Sequence, residues 1–228
     1  MPIGFRVFKS IPRPDRELIE LFVPLHPADI SDVMRMAGTM ETGIRPMYLP
    51  IKKVVGPAVT VSVPSGAFNM IKIGMQQTCP GDVLVIQGFG NQTVGLVGGN
   101  MCRGLLKRGL AGLIVDGAIR DVQEIRKDGF PVFARGTANA SGILEDVGEV
   151  NVPIACGQVV VNPGDIIVAD EDGIVVVPPS AAREIAAGVA ELEKKHAAIQ
   201  PILEKGEVTN IANIERKLRE QGCEFIEN

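Results

Sequence analysis

Residues 94–117 read VGLVGGNMCRGLLKRGLAGLIVDG, and this stretch predicts the class of fold. Apolar residues lead to a glycine pair at Gly98–Gly99, a helical segment follows to about Arg108, and the apolar run Ala111–Val115 is typical of a buried strand. A turn at Asp116–Gly117 is expected to end that strand. Because strand, helix and strand alternate, the stretch predicts an α/β domain.

The flanking segments predict further strands and helices around this unit. VVGPAVTVSVP at 54–64 and PVFARG at 131–136 predict strands, and residues 69–77 predict a short helix. PGDVLVIQG at 80–88 and PGDIIVADEDGIVVVP at 163–178 both open with a Pro-Gly-Asp turn, and the second predicts a hairpin. We therefore expect a central mixed β-sheet layered by helices.

Helical sequence at both ends predicts arms on this sheet. Residues 12–25 have helical spacing, and HPADISDVMRMAG predicts a second helix with Asp29 as its N-cap and Gly38 as its stop. These form a predicted N-terminal arm over about 12–38, and residues from about 180 to 221 predict two C-terminal helices. No linker divides the chain, so we expect one domain over 1–228, with arms of the kind that serve in oligomers.

Composition and charge exclude several classes of protein. The 228 residues are 46% hydrophobic, and 23 Lys and Arg against 27 Asp and Glu give a net charge of −4 without a basic tract, which argues against a nucleic-acid surface. Neither a signal peptide nor an apolar run of roughly 18 residues for a membrane helix is seen. Four scattered cysteines are expected to be free thiols. We expect a cytoplasmic protein without nucleic-acid or membrane partners.

The sequence offers little for nucleophilic or dinucleotide chemistry. His26 and His196 are its two histidines, and neither has a nucleophile motif beside it. Gly-x-Ser-x-Gly and P-loop motifs are absent, and GFGNQTVGLVGG at 88–99 lacks the third glycine of a dinucleotide fingerprint. Hydrolase and nucleotide-binding functions are therefore disfavoured.

The charged residues after the central strand are the strongest candidate site. Arg120, Asp121 and Glu124 follow the carboxyl end of that strand, where ligands of α/β sheets collect. Two carboxylates without clustered His or Cys suit Mg²⁺ or Mn²⁺, and a planar guanidinium can hold a carboxylate or an enolate. A capped amphipathic helix, with Glu124 paired to a lysine in solvent, explains the same residues. The upstream Gly98–Gly99, at a helix start that can receive an anion, favours the site.

The spacing of these residues resembles a known family. Gly99, twenty intervening residues and Arg120-Asp121-x-x-Glu124 are similar to the motif of the class II pyruvate aldolases typified by 4-hydroxy-4-methyl-2-oxoglutarate aldolase, which also act on 4-carboxy-4-hydroxy-2-oxoadipate. RPMYLPIKKVVGPAVTV, PGDVLVI, RGLAGLIVDGAIRDVQEI, GFPVFARG and VNPGDIIVADEDGIVVVP extend the resemblance over most of the chain. The same fold includes the regulator of ribonuclease activity A, whose sequences lack the final acidic residue. The presence of Glu124 favours the enzyme.

The resemblance implies a role for each residue of the motif. Asp121 would ligate Mg²⁺ or another divalent cation, Glu124 would act through a water on that ion, and Arg120 would contact the keto oxygen. The metal and Arg120 would stabilise the pyruvate enolate that leaves when a 4-hydroxy-2-oxo acid is cleaved. The pyruvyl carboxylate would be bound by four consecutive residues, namely Gly98, Gly99, Asn100 and Met101.

The family also implies an oligomer with sites between subunits. An acidic residue on the C-terminal helix reaches the site from a neighbouring subunit in the family, and Glu193 or His196 in ELEKKHAAI is expected to occupy that place. We expect a homotrimer or homohexamer. The same chemistry would support decarboxylation of oxaloacetate, which also passes through pyruvate enolate.

Departures from the family pattern bear on the distal part of the substrate. SGAFNMIK has Ala67-Phe68 before Asn69, and Lys72 where the family often has a histidine. Two alternatives to a metal-dependent aldolase stay open. One is a non-catalytic regulator that binds a ribonuclease or an RNA helicase, and the other is a Schiff-base aldolase that uses Lys72 or Lys107.

Overall fold

The computed structural model describes residues 3–64, 66–142 and 146–226. In chain order its strands are β1 (Phe5–Val7), β2 (Arg45–Pro46), β3 (Val54–Ser62), β4 (Val83–Val97), β5 (Gly112–Ile119), β6 (Val132–Thr137), β7 (Gly148–Val150), β8 (Ile154–Cys156), β9 (Val159–Val161), β10 (Ile166–Ala169) and β11 (Ile174–Val177). Its helices are α1 (Arg16–Glu20), α2 (Pro27–Val33), α3 (Asn69–Gln76), α4 (Gly99–Lys107), α5 (Val122–Asp128), α6 (Ala182–Leu203) and α7 (Ile211–Glu220).

Four parallel strands form the centre of a sheet that has nine strands in the described residues. β3, β4, β5 and β6 lie side by side in that order, each parallel to the next. β7 and β1 extend the sheet beyond β3, β2 pairs antiparallel with β6, and the antiparallel pair β10–β11 joins the first residues of β3. β8 and β9 form a separate hairpin. The predicted single α/β domain with a mixed sheet is confirmed.

One face of the sheet is covered by the three crossover helices. α3, α4 and α5 each connect one central strand to the next in space, and right-handed crossovers in one direction place all three helices on the same face. Ile71, Leu105 and Ile125 from these helices are fully buried against the apolar side chains of that face, such as Leu84 and Leu113. Because the four central strands are parallel, their carboxyl ends lie at the same edge of the sheet. The residues that follow these strands therefore lie at that edge too.

The other face is packed against β8–β11, and β10 and β11 are covered in turn by terminal helices. Ile114 and Phe133 of the central strands are buried with Ile154 and Ile167. The outer face of β10 and β11 packs against α2 and the first half of α6, with Ile30 and Val189 fully buried in the described structure.

The N-terminal helices are shorter than the sequence predicts. Only Arg16–Glu20 is helical within 12–25, because prolines at 12, 14 and 24 leave little room for a longer helix. The second helix begins at Pro27 with His26 as its N-cap, so the predicted cap at Asp29 is wrong and Asp29 lies in the first turn. Proline at the first helical position fixes this start. The helix ends at Val33, before Gly38, because Arg35 and Met36 adopt positive φ.

The C-terminal helices leave the compact part of the fold. Residues after Val189 in α6 are mostly exposed, and α7 has no buried residue among those described. Gly188 permits the close packing of α6 on α2, since a Cβ there would lie 2.7 Å from Val33 Cγ1. No helix in the described part of the chain combines the length and the apolar composition that crossing a bilayer requires.

The central strand β5 continues past the predicted turn. Asp116–Gly117 lies inside Gly112–Ile119, which is buried throughout and pairs with β4 and β6 on its two sides. The fold tolerates the charged Asp116 carboxylate inside the sheet because the guanidinium of Arg135 on β6 forms an ion pair with it. The predicted turn is therefore wrong, and the chain leaves the sheet two residues later.

Candidate functional site

The carboxyl ends of β4 and β5 bring the glycine pair beside the charged residues. Val97 and Ile119 are paired in the last register position of these strands, so Gly98 and Arg120 leave the sheet side by side. The backbone amide of Arg120 donates to the Val97 carbonyl at 3.0 Å. Parallel pairing therefore brings together two segments that are more than twenty residues apart in the sequence.

Asp121 is held in an unusual backbone conformation. It is the N-cap of α5 with φ 61° and ψ 36°, in the left-handed region that costs a non-glycine residue about 1–2 kcal/mol. Its side chain makes no capping bond to α5, and its Oδ2 instead accepts the Gly99 amide of α4 at 3.0 Å. A capped surface helix does not explain this arrangement, because the carboxylate accepts a hydrogen bond from the neighbouring helix α4 and not from α5.

Gly98 is required by the short carboxylate that faces it, whereas Gly99 faces a flexible carboxylate that can move aside. A Cβ on Gly98 would lie 2.7 Å from Asp121 Oδ2, and a Cβ on Gly99 would lie 2.9 Å from Glu124 Oε2. Real Cβ atoms do not approach other atoms so closely, and Asp121 is too short and too constrained to move aside easily. The glycine at position 98 thus has a steric cause in the position of Asp121.

Arg120 lies along the same glycine-rich segment. Its Nε is 3.5 Å from Asp121 Oδ2, and the two side chains are 41% and 39% exposed. A Cβ on Gly95 would lie 3.1 Å from the Cβ of Arg120. The small residues of β4 therefore make room for the guanidinium, which stays accessible to a ligand next to a carboxylate.

Glu124 lies near this pair but is turned towards another cation. Its Oε2 is 3.5 Å from Arg103 Nη2, its side chain is 59% exposed, and Arg103 also donates to Asp128 at 3.0 Å. The partner is thus an arginine of α4 and not the lysine that a solvent-exposed helix face predicts. Glu124 contributes a second carboxylate beside Gly99 without lining the cleft described next.

A small cleft opens over Arg120 and Asp121. Its volume is about 180 Å³, below the range of roughly 300–1,000 Å³ for drug-sized ligands, which suits a compound of a few carbons. The cleft is lined by residues of five segments: Phe68, Lys72, Gly95, Leu96, Gly98, Asn100, Met101, Arg120, Asp121 and Ser141. Sequence reasoning missed Gly95, Leu96 and Ser141, since no motif or spacing distinguishes them.

The backbone amides at the start of α4 are partly occupied. The Gly99 amide donates to Asp121, and the Met101 amide donates to the Gly98 carbonyl at 3.1 Å. Of the predicted carboxylate-binding backbone, the Gly98 and Asn100 amides have no partner among the described residues, and the Asn100 amide, at the second helical position, is suited to an incoming anion.

The donor set fits a hard divalent cation that is completed by substrate and water. In residues 3–64, 66–142 and 146–226, no three His, Cys, Asp or Glu side chains converge as a full ligand set. The Asp121 carboxylate is partly exposed, and the missing Cβ of Gly98 leaves space beside its Oδ2. Mg²⁺ commonly binds through one or two carboxylates and keeps several waters, so the residues fit this ion.

The other predicted site residues lie elsewhere in the same chain. Glu193 and His196 are on the exposed half of α6, and His196 Nδ1 is 3.9 Å from Asp29 Oδ1 of α2. Neither lines the cleft of its own chain, so a contribution to a neighbouring subunit stays a prediction. Lys107 is in the last turn of α4 and does not line the cleft, whereas Lys72 does.

A partly buried ion network lies on the opposite face of the sheet. Arg135 is bonded to both Asp116 and Glu41, and Gln158 donates to the second oxygen of Glu41 at 2.8 Å. The hydrogen bond from Arg135 lowers the pKa of the Glu41 carboxyl. Burial raises the pKa of the Cys156 thiol, and Asp116 adds to this rise. None of these residues lines the cleft over Arg120 and Asp121.

Comparisons with known proteins identify relatives of both expected kinds. A family model described as RraA-like, Aldolase/RraA, matches residues 27–176. A Halalkalibacterium halodurans protein with the provisional name 4-hydroxy-4-methyl-2-oxoglutarate aldolase is 41% identical over 65% of this chain and 70% of its own. The 4-hydroxy-4-methyl-2-oxoglutarate aldolase of Thermus thermophilus is 34% identical over 50% of this chain and 71% of its own.

A solved structure extends the comparison to the fold. Streptomyces coelicolor RraAS2, described as an unusual member of the RNase ES inhibitor RraA protein family, superposes with a TM-score of 0.74 at 31% identity. The match covers 82% of this chain and 98% of that chain.

Proposed function

Since the chain belongs to the RraA-like family of aldolases and RraA proteins, we propose that it is a divalent-metal-dependent lyase that cleaves a 4-hydroxy-2-oxo acid to pyruvate. The expected substrates are of the 4-hydroxy-4-methyl-2-oxoglutarate or 4-carboxy-4-hydroxy-2-oxoadipate type, and oxaloacetate is a further candidate for decarboxylation. Relatives named as aldolases support the reaction class.

One observation carries this proposal. The Asp121 carboxylate is aimed by a left-handed backbone at the start of α4, beside an accessible arginine and above a small cleft. Asn210 has the same left-handed conformation at the start of α7, so the distinguishing feature of Asp121 is the bond from its side chain to a different helix. Backbone strain that aims a polar group into a cleft is typical of functional sites.

The chain's own residues would act on the two ends of the pyruvyl group. The fork of Arg120 would donate to the 2-oxo oxygen, where negative charge develops as the C3–C4 bond breaks. The Asn100 amide would bind the carboxylate. The 4-hydroxyl proton must leave as C4 becomes a carbonyl, the bond electrons form the enolate of pyruvate, and a proton added at C3 completes the product. Glu193 or His196 of a neighbouring subunit is the proposed acceptor of the hydroxyl proton.

Asp121 would hold Mg²⁺ or Mn²⁺ directly and Glu124 would reach it through water, and the ion when bound would supply Lewis-acid polarisation of the 2-oxo acid. The partly exposed carboxylates leave room for the oxygens of the substrate to complete the coordination.

A panel of 4-hydroxy-2-oxo acids and oxaloacetate tests the proposal. Purified protein with Mg²⁺ or Mn²⁺ is expected to release pyruvate from at least one of them, measured by a coupled dehydrogenase. If the protein released pyruvate from none of these compounds, the proposal would be contradicted. Sodium borohydride trapping in the presence of pyruvate tests the Schiff-base alternative, since only an imine on a lysine such as Lys72 would give a covalent adduct.

The likeness to RraAS2 supports a second candidate function, a non-catalytic regulator that binds a ribonuclease or an RNA helicase. A regulator of this kind would form a complex with a purified ribonuclease whose affinity is unchanged by Asp121→Ala. The two candidates differ in this variant, because the lyase would lose its activity.

A further inference from the structure

The cleft contains a second cation besides Arg120. Lys72 lies in the first half of α3 and lines the cleft with Phe68 from the same segment. α3 follows β3, whereas Arg120 follows β5, and β4 lies between these strands. Two strand spacings of about 4.8 Å place the two segments roughly 10 Å apart, on either side of the glycines of β4.

Among the described residues, the groups that hold the ammonium of Lys72 are uncharged. Its Nζ lies 4.6 Å from the centre of the Phe68 ring and donates to Asn69 Oδ1 at 3.3 Å. Within the described residues no carboxylate oxygen lies within 4.0 Å of it. The nearby Asp146 instead accepts a hydrogen bond from the Asn69 amide at 2.8 Å. The ring and the amide therefore orient a charge that is left for an anion.

We propose that Lys72 determines specificity by binding a second carboxylate at the distal end of the substrate. The inference rests on the proposed function, which puts the pyruvyl end of the substrate at Arg120, Asp121 and Asn100. Lys72 then faces the other end, across the cleft floor of Gly95 and Leu96. A cation there would favour dicarboxylic 4-hydroxy-2-oxo acids over analogues with an uncharged tail, because only the charged tail can accept a charge-assisted hydrogen bond from the ammonium.

Kinetics with two substrates test this assignment. One is 4-hydroxy-4-methyl-2-oxoglutarate, and the other is the analogue that has a methyl group in place of the distal carboxylate. We expect Lys72→Met to lower kcat/KM for the dicarboxylate about 10- to 100-fold, as for the loss of one charged hydrogen bond, and to change the analogue less than about threefold. Lys72→Arg should retain most of the preference.

Lys127→Met is the matched control, because it removes an exposed lysine of α5 that does not line the cleft, and it should leave kcat/KM for both substrates unchanged. Thermal unfolding of each variant checks that the fold is kept. Equal losses on both substrates, or no loss on either, would overturn the assignment while the lyase proposal stands. A wild-type protein that cleaves neither substrate nor any other 2-oxo acid would overturn both.

Discussion

At the scale of single residues, Asp121 is the feature that separates a site from an ordinary helix start. Its φ of 61° and its bond to the Gly99 amide were not predictable from the sequence, because nothing in Arg-Asp-x-x-Glu requires a left-handed residue. The proximity of the motif to the glycine pair was predictable, since the spacing to Gly99 pointed to it. The structure explains the glycine at position 98 by its contact with the Asp121 carboxylate.

Gly98→Ala should displace the Asp121 carboxylate and disable the site. The new Cβ would lie 2.7 Å from Asp121 Oδ2, and a shift of about 1 Å at a catalytic group commonly costs about 100-fold in rate. Pyruvate release is the measurement. Gly104→Ala on the same helix is the control, because its Cβ would meet only Met75 Cε at 3.6 Å, and it should keep full activity. Equal activity of the two variants would contradict the steric account.

Arg120→Lys should lower kcat about 100-fold, although the charge is kept. A lysine presents a point charge and cannot place two donors of a planar fork on an enolate oxygen and a carboxylate. Arg126→Lys, on the exposed side of α5, is the control and should be neutral. If Arg120→Lys were as active as the control, the fork would have no role in the reaction.

The set of residues that line the cleft could not be predicted from individual residues and motifs. Phe68 and Lys72 were recognised as departures from a family pattern, but their position opposite Arg120 was not. Ser141 and Gly95 come from segments that carry no chemical signal of their own. Their place is set by strand order, and a single sequence does not fix how distant loops meet.

At the scale of elements, strand β5 was predicted correctly, but its end was predicted at the wrong residue. Asp116–Gly117 resembles a turn in the sequence, yet pairing on both sides and the ion pair with Arg135 keep β5 extended to Ile119. A buried carboxylate inside a strand is unfavourable alone, so its partner on β6 decides the outcome. Long-range pairing of this kind is invisible in a local pattern.

Arg135→Met should destabilise the fold by about 3–5 kcal/mol, because it leaves the buried Asp116 without a compensating charge. Urea unfolding at pH 7 measures the loss. Arg126→Met, which removes an exposed arginine, should stay within about 0.5 kcal/mol of the wild type. A loss below about 1 kcal/mol for Arg135→Met would mean that the network does not hold β5 and β6 together.

The contribution of Glu41 to stability should depend on pH. Arg135 lowers the pKa of Glu41 in the folded protein, so its stabilisation is present above the pKa of the unfolded carboxyl, about 4.3, and is lost as the pH falls through the lowered value. The urea midpoints of wild type and Glu41→Gln should therefore differ at pH 7 and converge in acid. A difference that grew as the pH fell would have the wrong sign.

At the scale of the whole molecule, alternation of strands and helices was enough to predict the fold class, whereas the layers were not predictable. The hairpin β10–β11 separates the central sheet from α2 and α6, so the terminal helices pack on an outer layer of strands. The exposed ends of α6 and α7 leave apolar side chains such as Ile214 and Leu218 uncovered in one chain. The predicted trimer or hexamer would be tested by light scattering of the eluted protein.

The four cysteines should divide into two classes of reactivity. All four are free, as the sequence predicts; Cys79 and Cys223 are exposed, and Cys102 and Cys156 are buried. Burial raises the pKa of Cys102 to about 12, and the pKa of Cys156 rises for the same reason, so both stay protonated and shielded at pH 8. A thiol titration should count two fast sites in the native protein and four after denaturation. Four fast sites in the native state would show that the packing of the two buried thiols is wrong.

The most direct test of the account is the metal dependence of pyruvate release through Asp121. Wild-type protein and Asp121→Asn are freed of metal with a chelator, and Mg²⁺ is returned stepwise while pyruvate is measured from a 4-hydroxy-2-oxo acid. We expect the wild type to lose its activity in chelator and to regain it with Mg²⁺. Asp121→Asn, which keeps the shape but not the charge, should stay inactive at all concentrations at which the wild type is saturated. Pyruvate release that survives the chelator, or that Asp121→Asn supports as well as the wild type does, would contradict the central claim.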